Sequence, residues 1–308
     1  MCHWMGVGII VGLVGIGGSG AWNHDQPPAC TFTVQAGQAI QPIIDQAPVG
    51  AVICLEEGIF QAQQPLEITK DRITLRGAGP HKTLLQQVVI LIQGLHFLEA
   101  VVLEDLAFTG EINQAFVQIV SAEVTIRNVR IGPAIGGFGI AAAGATAAVK
   151  VQQSRLFGLF LGLASSGGLE IERSFIFGND YGVMIAAPPK SKPSVIRETR
   201  LAANGVGLVV AEASEVEVQS STIELNRVSV TVPIPLKNNV LIPAAGDGIL
   251  VEGQSRLTIV SSQVVNNLRY GVAAYLEQCG LGQDSFTGEV KLINTVVEDN
   301  EQGNICLP

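Results

Sequence analysis

The feature that most constrains this 308-residue chain is a rung of about two dozen residues that recurs along it. Residues 169–179 read LEIERSFIFGN, residues 194–204 SVIRETRLAAN and residues 216–226 VEVQSSTIELN. The form returns at 257–267 and 290–300. It consists of an apolar residue, two spacers, a small polar residue, one spacer, an apolar residue, two spacers and Asn. Looser copies centre on Leu106, Val129 and Ser154, and a weak one on Asn239. Taking the small polar position as centre, the copies fall at 106, 129, 154, 174, 199, 221, 239, 262 and 295. A second marker, Gly followed by an apolar residue, keeps the same register: Gly139-Ile140, Gly162-Leu163, Gly182-Val183, Gly207-Leu208, Gly248-Ile249 and Gly271-Val272, with Ser229-Val230 in its place once.

Each rung holds two or three short segments rich in Val, Ile and Thr, which read as strands. Apolar residues alternate and then change parity at a corner: Leu169 and Ile171 are followed by Ile176, not by an apolar residue at 173. A flat sheet keeps one parity. A coil that bends between short strands keeps every apolar residue inside. A propeller blade of about 40 residues is too long for this period. The expected fold is all-β: a parallel β-helix of about ten coils, stacked about 4.8 Å apart. In this fold Asn179, Asn204, Asn226, Asn267 and Asn300 share one corner. Asn tolerates left-handed backbone, and its amide can bond along a stack. A structural ladder is the expectation, with metal or sugar contact the alternative.

A solenoid must close its ends. Residues 38–46 place Ala39, Ile40, Ile43, Ile44 and Ala47 on one helical face, read as a short N-terminal capping helix. Residues 276–288 form a loop before the last coil. Residues 6–17 are an uncharged run of signal-sequence length, and Ser19-Gly20-Ala21 suits cleavage after Ala21, although the first five residues carry no Lys or Arg. The expected organisation is a signal peptide over 1–21, a linker over 22–30 and a β-helix domain over 31–308, with no transmembrane segment after cleavage. The uncharged stretch 131–149 holds five Gly and Pro133, which break a lipid-facing helix.

Loss of Cys2 with the signal leaves Cys30, Cys54, Cys279 and Cys306, which allow three pairings. Cys30–Cys54, 24 positions apart, and Cys279–Cys306, 27 apart, would staple opposite ends of an exported chain. Four buried free thiols are the other reading. The expected location is periplasmic or extracellular.

Val34-Gln-Ala-Gly-Gln-Ala-Ile-Gln through Ala51-Val-Ile-Cys-Leu-Glu-Glu-Gly-Ile-Phe60, followed by Ile73-Thr-Leu-Arg-Gly-Ala-Gly79, resembles the opening coils of right-handed parallel β-helix proteins of the pectin-lyase-like superfamily. The later rungs resemble that family's central coils. The resemblance spans roughly 31–308 and implies a right-handed solenoid. Its members include lyases, hydrolases, esterases, epimerases and non-catalytic proteins, so it does not select an activity.

A net charge of −9 argues against a nucleic-acid partner, which needs a concentrated basic face. Of four His, none lies beyond residue 96, and neither His81 nor His96 sits in a ligand pattern. The chain lacks the Gly-His-Gly with clustered Asp of polygalacturonase-like sequences, the Asp-Pro-His of alginate-epimerase-like ones and the carboxylate groups of Ca²⁺-dependent pectate lyases. No metal or cofactor is expected, and few His and three Met count against metal delivery.

Aligned on the Gly marker, Arg227, Asp247, Arg269 and Tyr270 fall on three consecutive coils. A uronate lyase needs a cation at the sugar carboxylate and a base for the C5 proton. Arg227 or Arg269 suits the first role and Tyr270 the second. Asp247, between the two Arg, reads more simply as one half of a surface ion pair, worth about 0–1 kcal/mol. Phe138, Tyr181 and Tyr270 share the column before the Gly and, with Asp180, are the candidate sugar contacts. Two functions follow: a non-catalytic structural or adhesive module with glycan contact, and a polysaccharide-active enzyme, lyase-like on uronate-containing glycans. The partner in either case is a polysaccharide or cell-surface glycan. The sequence does not define the oligomeric state.

Overall fold

A computed structural model describes residues 28–94, 98–189, 191–227, 234–235, 241–281 and 284–308. The expected signal segment, residues 22–27 of the linker, His96, Ser229-Val230 and Asn239 lie outside the described residues.

Three parallel sheets run the length of the molecule, with 11 strands in the first and ten in each of the others. The chain visits them in rotation. Gly168–Glu172 lies in the first sheet, Phe175–Phe177 in the second and Tyr181–Ala187 in the third, before Ser194–Arg197 returns to the first. Ten coils result, preceded by a lone strand, Phe32–Val34. Leu169, Ile171, Ile176, Val183 and Ile185 of one coil are at most 3% exposed. Burial of each such aliphatic side chain contributes about 1.5–3 kcal/mol. The Gly-marked residues Ile140, Leu163, Val183, Leu208, Ile249 and Val272 stand directly opposite one another in successive coils, as the repeat requires.

The change of parity has a backbone cause. The residue before each rung centre is left-handed: Asp105, Asn128, Gln153, Arg173, Glu198, Ser220, Ser261 and Asn294 have φ of 45–57°. The next hydroxyl stitches coil to coil. Ser154 N donates to Ser174 Oγ at 3.2 Å, Thr199 N to Ser221 Oγ at 3.1 Å and Ser221 N to Ser262 Oγ at 3.1 Å.

The second corner repeats the device with Asn, and the ladder is present. Asn226 Nδ2 donates to Asn267 Oδ1 at 2.7 Å, and Asn267 Nδ2 to Asn300 Oδ1 at 2.8 Å. The left-handed conformation is not on the Asn itself, however. It falls one residue earlier, on Gly178, Ala203, Leu225, Asn266 and Asp299, with φ of 54–65°. The Asn is selected for its amide. Each side chain sits where a Cβ on the marker glycine of the preceding coil would go: a Cβ on Gly207 would lie 2.9 Å from Asn226 Nδ2 and 2.6 Å from the Gly248 carbonyl oxygen.

One rung needs correction. The Ser221–Ser262 bond spans 41 positions, so the copy centred on Asn239 is not a coil. Between strands Thr222–Glu224 and Ile249–Val251, the described residues Ile234–Pro235 and Leu241–Ile242 form an antiparallel pair outside the three long sheets. Local pattern alone cannot separate a rung from an excursion of rung-like length.

At the N-terminal end, helix α1 spans Gln41–Gln46 and buries Ile44, with Ile40 and Ala47 also buried and Ala39 exposed. Lys70 Nζ caps it by donating to the Asp45 and Ala47 carbonyls at 2.6 and 2.9 Å. Cys30–Cys54 ties the lone first strand to the next coil, and Cys279–Cys306 ties the loop after the third-sheet strand Tyr270–Ala274 to the last strand. The last coil has no such cap among the described residues: Ile293 and Ile305 are each 46% exposed. No helix among the described residues is long and apolar enough to cross a membrane.

Candidate functional site

The third sheet is where the marker glycines place the candidate residues. Tyr181 pairs with Leu161 and Val206, and Leu161 with Phe138. Extending the Leu208–Ile249–Val272 register back two residues sets Asp247 between Val206 and Tyr270. Arg269 N donates to the Gly246 carbonyl at 3.0 Å, so Arg269 and Tyr270 lie one coil beyond Asp247.

Arg227 does not sit on a coil of its own. Its N–H donates to the Asn204 carbonyl at 2.7 Å, which places it on the same coil as Asp247, exposed at the foot of the excursion. The cluster therefore occupies two coils rather than three. Asp180, half-buried, is two coils away beside Tyr181.

Asp247 is fully buried. Its Oδ1 lies 3.6 Å from Arg269 Nε and accepts from Tyr270 N at 3.4 Å, whereas Oδ2 has no hydrogen-bond partner among the described residues. Arg269 Nη2 donates to the Cys279 carbonyl at 2.6 Å, and its guanidinium lies 5.6 Å from the Tyr270 ring centroid. Burial pushes the Asp247 carboxyl up to about 6, with Arg269 and the Tyr270 N–H pulling the other way. A carboxyl poised there suits proton transfer near neutral pH.

A roof closes this face. Val209, Leu250 and Ala273 occupy the positions that alternate with the inward residues, yet all are fully buried. The excursion lies over the sheet: the Tyr181 hydroxyl donates to the Ile242 carbonyl at 2.6 Å and accepts from Ile234 N at 3.3 Å. Tyr275 Oη donates to the Leu241 carbonyl at 2.8 Å. Burial raises the Tyr181 hydroxyl to about 12. Tyr181 is therefore an anchor for the roof, not the exposed sugar platform expected from its column. Phe138 is half-buried and meets Phe160 edge-on at 5.3 Å, and Phe160 meets Tyr181 at 5.5 Å. Tyr270 keeps partial exposure.

One buried acid escaped the sequence reading. Glu252, 2% exposed, accepts from Glu212 N at 3.1 Å, and burial raises its carboxyl above the usual range. Nothing in a lone Glu after Val251 signals this, because its hydrogen-bond partner, the Glu212 N–H, lies 40 positions earlier in the chain. Among the described residues, no group of three or more His, Cys, Asp or Glu is arranged to hold a metal ion.

The family model described as right handed beta helix region matches residues 117–306, and the chain belongs to that family. Its fold is the right-handed, pectin-lyase-like parallel β-helix. Solved structures agree. The A-module of the Azotobacter vinelandii mannuronan C-5 epimerase AlgE4 is 13% identical at a TM-score of 0.51, covering 90% of this chain and 98% of that one. Pectate lyase Pel9A is 11% identical at 0.50, covering 91% and 79%. The catalytic domain of a GH87 alpha-1,3-glucanase bound to tetrasaccharides is 11% identical at 0.50, covering 89% of this chain and 65% of that one. A search of curated proteins returned no match.

Proposed function

We propose that this chain is an exported, non-catalytic module that holds a polysaccharide against its solenoid without cleaving it. The observation that carries this reading is the burial of Asp247: the acid best tuned for proton transfer is fully buried and lies 3.6 Å from Arg269, on a face where Ile234 and Ile242 also close over Tyr181. The glycan part of the reading draws on the similar solved structures, titled as an epimerase, a lyase and a glucanase. Export is supported by two disulfides, which persist in oxidising compartments. A second reading, a lyase-like enzyme on uronate-containing glycans, is favoured by one observation: the Asp247 carboxyl at about 6 beside Arg269 and the partly exposed Tyr270.

Assay of the mature protein on a glycan array, alongside measurement of new reducing and unsaturated ends, separates the two. Binding without product is expected. Product that disappears in both Asp247→Asn and Tyr270→Phe overturns the module in favour of the lyase.

A further inference from the structure

The outward face of the second sheet carries a row of rings and guanidinium groups that neither reading uses. Arg130–Ile131, Arg155–Phe157, Phe175–Phe177 and Arg200–Ala202 are neighbouring strands in direct register. One column holds Arg130, Arg155, Phe175 and Arg200, and Phe157 and Phe177 stand beside it. The Phe157 and Phe177 rings stack at 5.2 Å and 6°, and Phe175 stacks on Phe177 at 4.2 Å and 19°. The Arg130 guanidinium lies 5.1 Å over Phe157 and that of Arg200 5.1 Å over Phe175. An open groove of about 560 Å³, lined by Arg155, Phe175 and Arg200 among others, runs alongside.

Two physical points make this row a site. The first is charge. Like charges directly opposite on neighbouring strands repel. Nearby outward arginines meet a carboxylate: Arg173 lies 2.8 Å from Glu198, Arg200 2.5 Å from Glu224 and Arg197 2.9 Å from Glu170. Arg130 and Arg155 are paired directly with each other, and among the described residues neither has an ion-pair partner. The second is preorganisation. Seating the Arg130 guanidinium on Phe157 fixes its plane and leaves its N–H edges for a planar anion. A carboxylate bridging the two arginines would remove the repulsion and gain charge-assisted hydrogen bonds. The coil rise of about 4.8 Å is close to the length of one pyranose unit, so a sugar chain along the axis offers successive acidic groups to successive coils.

We infer that Arg130 and Arg155, set beside the Phe157–Phe177–Phe175 strip, bind the carboxylates of an acidic, uronate-type polysaccharide. This rests on the glycan-contacting reading and adds to it the ligand class and the face. The test is affinity electrophoresis through polygalacturonate at low salt, with a neutral glucan gel and a polyglutamate gel in parallel. The proteins are wild type, Arg130→Gln, Arg155→Gln, and Arg256→Gln as an exposed control on the first sheet.

Wild type is expected to be retarded by polygalacturonate, less so as salt rises. Each of Arg130→Gln and Arg155→Gln is expected to weaken that binding about tenfold, while Arg256→Gln and binding to neutral glucan stay unchanged. Equal retardation of wild type and both site variants overturns the inference. So does equal retention on polyglutamate, which would make the face a general anion surface. Binding to neutral glucan but not to polygalacturonate overturns the inference and leaves the module standing. Binding to neither glycan overturns both.

Discussion

Asn226 and Gly207 are two halves of one contact. The Asn226 carboxamide accepts from Asn204 N at 3.0 Å, donates to Asn267 at 2.7 Å and fills the space above a glycine with no room for a methyl group. Asn226→Ala strands the buried Asn204 N–H and is expected to lower unfolding free energy by about 2–3 kcal/mol in urea titrations. Gly207→Ala is expected to cost about 3 kcal/mol or more through the clash with the Gly248 carbonyl. Gly178→Ala, with nothing within 4 Å but a φ of 65°, should cost only the left-handed penalty of about 1–2 kcal/mol. Equal losses at both glycines would refute the coupling. Both columns were legible as periodic letters, but their mutual dependence was not, since it arises from stacking one coil onto the next. Asp247 is a second case. Its folded-state value of about 6 exceeds the ordinary 3.8 because burial disfavours the charge. Below about pH 4 it is neutral folded and unfolded. As pH rises from about 4 through about 6, stability should fall by about 3 kcal/mol relative to Asp247→Asn. Stability profiles of the two proteins that run parallel across that window would rule this out.

Strands and corners were readable because burial imposes period two within a strand and a left-handed residue resets it. That residue is glycine at Gly158 and Gly178, with φ of 63° and 65°. Elsewhere Arg173, Glu198 or Leu225 takes the conformation, so no letter in the sequence marks it. The excursion was misread for a related reason: its length and apolar content imitate a rung, and the Ser221–Ser262 and Asn226–Asn267 bonds show that it is bypassed. The candidate site suffered most, because Ile234 and Ile242 close over Tyr181 in a column that periodicity left open. Cys279–Cys306 closes a 27-residue separation beside the roofed face, and replacing both by Ser is expected to cost about 3–4 kcal/mol by loop entropy. Hydrogen exchange should then rise at 276–306 and leave the coil of Ser174 protected. Uniform acceleration along the chain would contradict an element-level role.

On the scale of the molecule, each coil touches only its neighbours, so stability is close to a sum over coils and the interfaces between them. The two ends differ. The first coil lies under α1 and the Lys70 cap, whereas Val290, Leu292 and Val297 of the last coil remain half-buried. Native-state exchange should therefore run from the C-terminal coil inward, with amides of Val290–Leu292 opening before those of Leu169–Ile171. Simultaneous exchange at both would mean one global opening instead. The bypassed excursion carries a broader consequence. Since the coils on either side of it still bond as direct neighbours, material can be added at a single bend without re-registering anything downstream. A lineage built this way can acquire, enlarge or shed a lid at one address while its spine stays as it was.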